Sequence, residues 1–282
     1  MKNLFQWSAG SIVGTDHLRQ FVWSNNQDAH QVGGNEQCLV AVVSDGCGSS
    51  AHSELGARIG AQIAFRLLLE RFRLPLSIRE ETARELEWVR REILQKLIEV
   101  ILTLDGGRLT KQTVMDHFLF TLLVLVITPE ETFITGIGDG VYAINGEVAK
   151  IGPFAGNQPP YLAYDGLIKS TISPELCRFA LHRCLATSEL ESACIGTDGI
   201  GDFENISDLT LPGKTEKVGP LSQFWTEDRF FGNPEAIRRR LNLINNTVIL
   251  PDGDNKTLKT ENGRLTDDTT LIAVRRRQEK KD

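Results

Sequence analysis

Five aspartates stand where apolar runs of the chain stop or start: Asp28, Asp45, Asp139, Asp198 and Asp267. Asp45 ends the run Val40-Ala41-Val42-Val43-Ser44 and is followed by Gly46-Cys47-Gly48. The same construction, an apolar strand and then Asp-Gly, recurs at Gly138-Asp139-Gly140 and Thr197-Asp198-Gly199. Asp267, paired with Asp268, opens the last apolar run, and Asp28 sits in Asn26-Gln27-Asp28-Ala29. Such a strand delivers a carboxylate to a tight turn where backbone can approach a ligand closely. Taken singly, each aspartate reads as readily as a cap or turn residue. If the strand ends converge, however, several carboxylates share one small volume and raise one another's pKa values. None of these turns has a Lys or Arg directly beside its aspartate. Bound divalent cations would supply the missing charge, and an all-oxygen ligand set selects Mg²⁺ or Mn²⁺ over zinc. Two such ions roughly 3.5–4 Å apart can hold a water or hydroxide between them for in-line attack on phosphorus.

Positioning those carboxylates takes strands. Residues 38–44 form one, and residues 118–128 are too apolar to be half exposed and read as a central strand. Residues 131–138, 141–144 and 147–151 follow, the last two joined by Asn145-Gly146, a type I′ hairpin signal. Residues 176–185 and 192–197 read as strands, and residues 269–274 as the closing one. Ser53 reads as the cap of a helix reaching about residue 72, with Leu55, Ile59, Ile63 and Leu67 on one face. Ser77-Ile78-Arg79-Glu80 is a capping box opening a second helix that ends near residue 105. Residues 233–246 are helical, with Pro234 in the first turn. Residues 251–266 are polar and loop-like, and residues 152–165 form a Pro/Gly-rich loop long enough to serve as a flap near the metals. Strands, two consecutive helices and then more strands do not alternate as βαβ units, which predicts an α+β fold of antiparallel sheets covered by helices. With no internal repeat or low-complexity linker, residues 1–276 read as a single catalytic domain and residues 277–282 as a charged tail.

The 282 residues carry a formal net charge of -6, which counts against nucleic acid or an anionic membrane as the main partner. No stretch has the length of a transmembrane helix and no signal peptide opens the chain. The five cysteines are scattered, without a Cys-x-x-Cys pair, and read as reduced thiols of a cytoplasmic protein.

The order Asn26-Gln27-Asp28-Ala29, Ser44-Asp45-Gly46-Cys47-Gly48-Ser49, Gly138-Asp139-Gly140, Thr197-Asp198-Gly199 and Asp267-Asp268-Thr269-Thr270 resembles the type 2C metal-dependent serine/threonine protein phosphatases. It looks closest to a bacterial branch whose opening motif is matched here by Gly14-Thr15-Asp16-His17 and Gln27-Asp28-Ala29. The resemblance runs from about residue 10 to 276. It implies a four-layer α-β-β-α sandwich of two antiparallel sheets flanked by helices. It implies hydrolysis of phosphoserine and phosphothreonine in proteins, an opposing serine/threonine kinase, and a monomer. It implies that Asp45 bridges two ions with the Gly46 carbonyl on one, that Asp198 and Asp267 share an ion, and that Asp28 acts through metal-bound water. Asp139, with Asp198, matches the site of a third, weaker ion, and Asp268 matches a position beside the metals usually filled by Asp or Asn.

Two positions depart from the family pattern. The usual Glu-Asp pair is Gln27-Asp28, and the phosphate-gripping Arg expected five positions before Asp28 is Trp23. His17 and Arg19 are the nearest replacements, as phosphate ligands or, for His17, as general acid; His52 is a second candidate, read as solvent-facing. His30, His117 and His182 read as structural, and Cys47 as a small packing residue beside the metals. The missing Arg motivates a rival reading, a phosphatase-like regulatory binding module with weak or no turnover. A nuclease using two metals is a further rival, disfavoured by the absence of a basic, aromatic-interleaved stripe.

Overall fold

The computed structural model describes residues 1–19, 25–73, 79–252 and 257–278. The chain opens with β1 (Phe5–Ile12), α1 (Thr15–Arg19), β2 (Ala29–Gly34) and β3 (Leu39–Ser44). Three helices follow: α2 (Ser53–Arg71), α3 (Arg79–Leu104) and α4 (Lys111–His117). Then come β4 (Leu122–Ile127), β5 (Glu131–Ile137), β6 (Gly140–Ile144), β7 (Glu147–Ile151), β8 (Ala180–Ala186) and β9 (Ser192–Gly196). The short helices α5 (Phe203–Ile206) and α6 (Gln223–Thr226) precede α7 (Ala236–Ile244), the hairpin β10 (Val248–Asp252) and β11 (Thr257–Glu261), and finally β12 (Thr269–Arg276).

The strands form two five-stranded sheets, ordered β1-β12-β9-β6-β7 and β2-β3-β4-β5-β8, with every pairing antiparallel. Side chains alternate across a strand, and here both faces are covered. Leu39, Ala41 and Val43 of β3, with Leu123, Leu125 and Ile127 of β4, pack between the sheets against Ile195, Ile272 and Val274. Val40, Val42, Val124 and Val126 face the other way, onto Leu68 of α2 and Ile93 and Leu97 of α3. On the far side, Val141, Ala143, Leu271 and Ala273 pack against Ile237, Leu241 and Ile244 of α7. These layers are the α-β-β-α sandwich expected from the sequence. They explain why residues 39–43 and 122–127 are apolar without alternation: neither face meets water.

Asn145 and Gly146 both take positive φ, 50° and 90°, as a type I′ turn requires. Three sequence expectations need correction. The segment expected to be a strand from residue 176 is a 3₁₀ turn at Pro174–Cys177, because Pro174 fixes φ and lacks an amide donor; the strand starts at Ala180. The polar stretch 251–266 contains most of the β10–β11 hairpin, whose residues around Thr257–Glu261 are largely exposed and so carry no apolar signal. Ser53 does not cap α2 through its side chain: His52 takes the cap position, and Ser53 Oγ donates to the Cys47 carbonyl (3.0 Å). The Ser77 capping box, Trp23, the side chain of Arg19 and residues 279–282 of the tail lie outside the described residues.

Candidate active site

The aspartates meet at one end of the two sheets. Asp45 follows β3, Asp139 sits in the turn between β5 and β6, Asp198 follows β9, and Asp267 precedes β12. All four line one cleft of about 290 Å³. Asp28, just ahead of β2, is 4% exposed and stands behind them. Backbone contact fixes the arrangement. Thr121 N–H donates to the Asp45 carbonyl (2.8 Å), and the Asp45 N–H donates to Thr121 Oγ1 (3.2 Å). A Cβ on Gly46 would stand 2.8 Å from both the Gln27 carbonyl and Ser53 Oγ, so only glycine fits the turn after Asp45.

Charge in the cleft is lopsided. Among the described residues lining it, His17 is the one side chain able to carry positive charge. Burial, followed by the neighbouring charges of Asp28, Asp198 and Asp267, pushes the Asp45 carboxyl well above the ordinary range. Burial and then Asp267 and Asp139 push Asp198 up to about 7. Asp139 and Asp267 are raised as well, mainly by burial. Asp28 is raised by burial and then by the charge of Asp268, although Thr197 Oγ1 donates to its Oδ2 (2.8 Å). Asp28 Oδ1 and Asp139 Oδ1 are buried without a hydrogen-bond partner. Buried, unpartnered carboxylate oxygens beside a pocket whose described lining holds no Lys or Arg suit a divalent cation. Among the described residues, no three His, Cys, Asp or Glu side chains are already gathered in a geometry that would hold an ion. Small hard cations that keep several waters and accept a backbone carbonyl do not need three carboxylates closed around them. The donor set therefore fits Mg²⁺ or Mn²⁺.

Asp268 has a different task. Its Oδ1 accepts from Gly14 N–H (2.8 Å) and its Oδ2 from Gln27 N–H (2.6 Å). It ties the Gly14–His17 turn and the Gln27-Asp28 turn to the start of β12. A Cβ on Gly14 would lie 2.3 Å from the Asp267 carbonyl carbon, so this contact too demands glycine. His17 lines the cleft with its Nδ1 2.9 Å from Asp268 Oδ1. That is ion-pair distance, but the ring is not turned to align a hydrogen bond.

Residues 13–264 match the family model for Protein phosphatase 2C. The chain belongs to the protein phosphatase 2C family. Its enzyme class is accordingly that of a protein serine/threonine phosphatase. No curated protein sequence matches this chain. The fold is shared with solved bacterial phosphatase structures of low identity. Serine/threonine phosphatase Stp1 from Staphylococcus aureus is 14% identical with a TM-score of 0.52, over 98% of this chain and 96% of that one. A bacterial serine phosphatase is 15% identical with a TM-score of 0.51, over 97% and 98%. The S. agalactiae serine/threonine phosphatase is 14% identical with a TM-score of 0.50, over 96% and 99%.

Within this protein phosphatase 2C member, the other candidate histidines do not line the cleft. His52 is half exposed and stacks on His117 with ring centroids 5.3 Å apart. Burial lowers the pKa of His30 and His182, which suits structural roles. Cys47 lines the cleft. Burial alone would raise its thiol, but hydrogen bonds from Ser49, Tyr161 and Ser50 outweigh it and hold the thiol below its ordinary value. Tyr161, 7% exposed, also lines the cleft, and sequence reasoning missed it as a site residue. Its only sequence signal is its place after Pro159-Pro160 in the expected flap.

Proposed function

We propose that this protein hydrolyses phosphoserine and phosphothreonine in proteins, through a catalytic domain spanning residues 1–276, opposing a serine/threonine kinase. The observation that carries this reading is the meeting of Asp45, Asp139, Asp198 and Asp267 in one cleft with a single potential cation among its described lining residues. Asp45, the Gly46 carbonyl, Asp198 and Asp267 would hold two ions of the Mg²⁺ or Mn²⁺ kind, Asp28 would reach them through water, and Asp139 with Asp198 would hold a weaker third. When bound, the ions neutralise the crowded carboxylates and activate water for in-line attack on phosphorus.

The chain's own groups do the rest. Raised aspartate pKa values mean that protons leave the cleft as cations enter, so binding weakens on acidification. His17 lines the cleft with its Nδ1 2.9 Å from Asp268 Oδ1. From there it can donate to a phosphate oxygen or protonate the departing seryl or threonyl oxygen. Pro159 and Tyr161, from the loop after β7, line the cleft. The test is hydrolysis of a phosphothreonine peptide and of p-nitrophenyl phosphate with and without Mn²⁺. Metal-dependent turnover of both supports the proposal, and phosphopeptide binding without turnover supports the regulatory-module reading that the cation-poor cleft keeps alive.

A further inference from the structure

With Trp23 in the place of the family's Arg, the cleft needs other donors for phosphate. Among the described residues, Tyr161 is the one aromatic hydroxyl lining it. It shares that lining with Cys47, two residues from Asp45. The segment bearing Tyr161 also lies against the metal-side turn: a Cβ on Gly138, next to Asp139, would stand 3.3 Å from the Pro160 carbonyl oxygen. Burial raises the phenol's pKa, so it remains a donor at any working pH.

What fixes Tyr161 is more unusual. The chain after it makes a 3₁₀ turn, Leu162–Tyr164, closed by Tyr164 N–H to the Tyr161 carbonyl (3.0 Å) and by Asp165 N–H to the Leu162 carbonyl (3.1 Å). Leu162, Ala163 and Leu167 sink into the core beside α3. Asp165, at the end of the turn, accepts from Arg90 of α3, Nη1 to Oδ2 at 2.6 Å. Arg90 is 6% exposed and also donates twice to Glu87, from Nε at 2.8 Å and Nη2 at 2.7 Å. An arginine buried this deeply, with its planar fork shared between two carboxylates, is a geometrically demanding anchor. It ties the loop that carries Tyr161 to the longest helix of the chain.

We propose that Tyr161 donates a hydrogen bond to the substrate phosphate and that Arg90, through Asp165, is the residue that positions it. This rests on the phosphatase reading above. Arg90 touches no reacting atom, so its effect must pass through Tyr161.

The experiment is a double-mutant cycle of Tyr161→Phe and Arg90→Met in the full chain with Mn²⁺, read on a phosphothreonine peptide and on p-nitrophenyl phosphate. Loss of one hydrogen bond to a charged group predicts a KM raised about tenfold for both substrates in Tyr161→Phe, with kcat changed less than about threefold. Arg90→Met should raise KM in the same direction, and the double variant should be no worse than Tyr161→Phe alone. Additive effects, or an Arg90→Met protein that loses only thermal stability, would overturn the positioning role. If Arg90→Met does not fold, Asp165→Asn, at a position one quarter exposed, takes its place in the cycle. Binding of inorganic phosphate with Mn²⁺, measured by calorimetry, separates this inference from the function it rests on. Wild-type protein without turnover defeats the phosphatase reading. Equal phosphate affinity of wild type and Tyr161→Phe, or no phosphate binding by either, defeats the role of Tyr161.

Discussion

His17 Nδ1 stands 2.9 Å from Asp268 Oδ1, in a cleft whose other charged residues, among those described, are all acidic. The same Asp268 oxygen also accepts from Gly14 N–H, so the turn bearing His17 and the ring itself are referenced to one carboxylate. If His17 is the general acid, His17→Ala should lower turnover of a phosphoserine peptide by about 10²–10⁴-fold. Turnover of p-nitrophenyl phosphate, whose leaving group needs no proton, should fall far less. A uniform loss on both substrates, mainly in KM, would instead mark His17 as a phosphate ligand.

Asp268 itself should matter chiefly for stability. Asp268→Ala leaves the buried N–H groups of Gly14 and Gln27 without acceptors, at about 1–3 kcal/mol each. Urea unfolding of the variant should show the loss as a lower midpoint at unchanged slope. A stability equal to wild type would mean that water enters and replaces both bonds.

Asp45→Asn and Asp198→Asn should abolish most Mn²⁺-dependent activity while leaving cooperative unfolding intact. Each also removes one member of a mutually repelling set, so the metal-free variants should melt at or above the metal-free wild type. Near wild-type turnover at saturating Mn²⁺ would remove these residues from the metal assignment.

The parts of the site that were legible in the sequence are local. An apolar run ending in Asp-Gly states both the strand and the carboxylate it delivers, and Asp45, Asp139 and Asp198 announce themselves this way. The apolar run 118–128 predicted a central strand; β4, Leu122–Ile127, is buried throughout and sits third of five in its sheet, while Phe118 caps α4 instead. Contacts between distant residues are not legible. Arg90 and Asp165 are 75 positions apart, and Gly14 and Asp268 are 254 apart. Nothing in either neighbourhood names its partner. The β10–β11 hairpin escaped for the opposite reason: Leu258 is 73% exposed, so the strand buries no face that could impose a period of two.

Helix α2 lies unusually close to the segment leading into β4. A Cβ on Gly56 would stand 2.0 Å from the His117 carbonyl oxygen, backbone that cannot swing aside. Gly56→Ala should therefore destabilise despite alanine's better helix propensity, by an amount in the ~1–3 kcal/mol range of overpacked cores or above it. An unchanged melting temperature would mean that the α2 contact relaxes freely.

The pH dependence of the metal-free protein follows from the sign of the aspartate shifts. Asp198 has an ordinary value of 3.8 and is pushed to about 7 in the folded state by burial and then by Asp267 and Asp139. A carboxyl raised on folding binds its proton more tightly in the native state. Native stability is then greatest below the unfolded value and falls as pH rises through the folded one. Asp45, Asp28, Asp139 and Asp267 shift in the same direction and add to the slope. Chelator-treated protein should thus lose melting temperature steadily between about pH 4 and pH 7, the window set by Asp198. Asp198→Asn should flatten that decline, and comparing the two proteins cancels every other titrating group. Saturating Mn²⁺ should remove most of the loss at the upper end, because bound cations replace the protons. A wild-type curve parallel to that of Asp198→Asn across this range would show that Asp198 is not held in a crowded, desolvated cluster with Asp267 and Asp139.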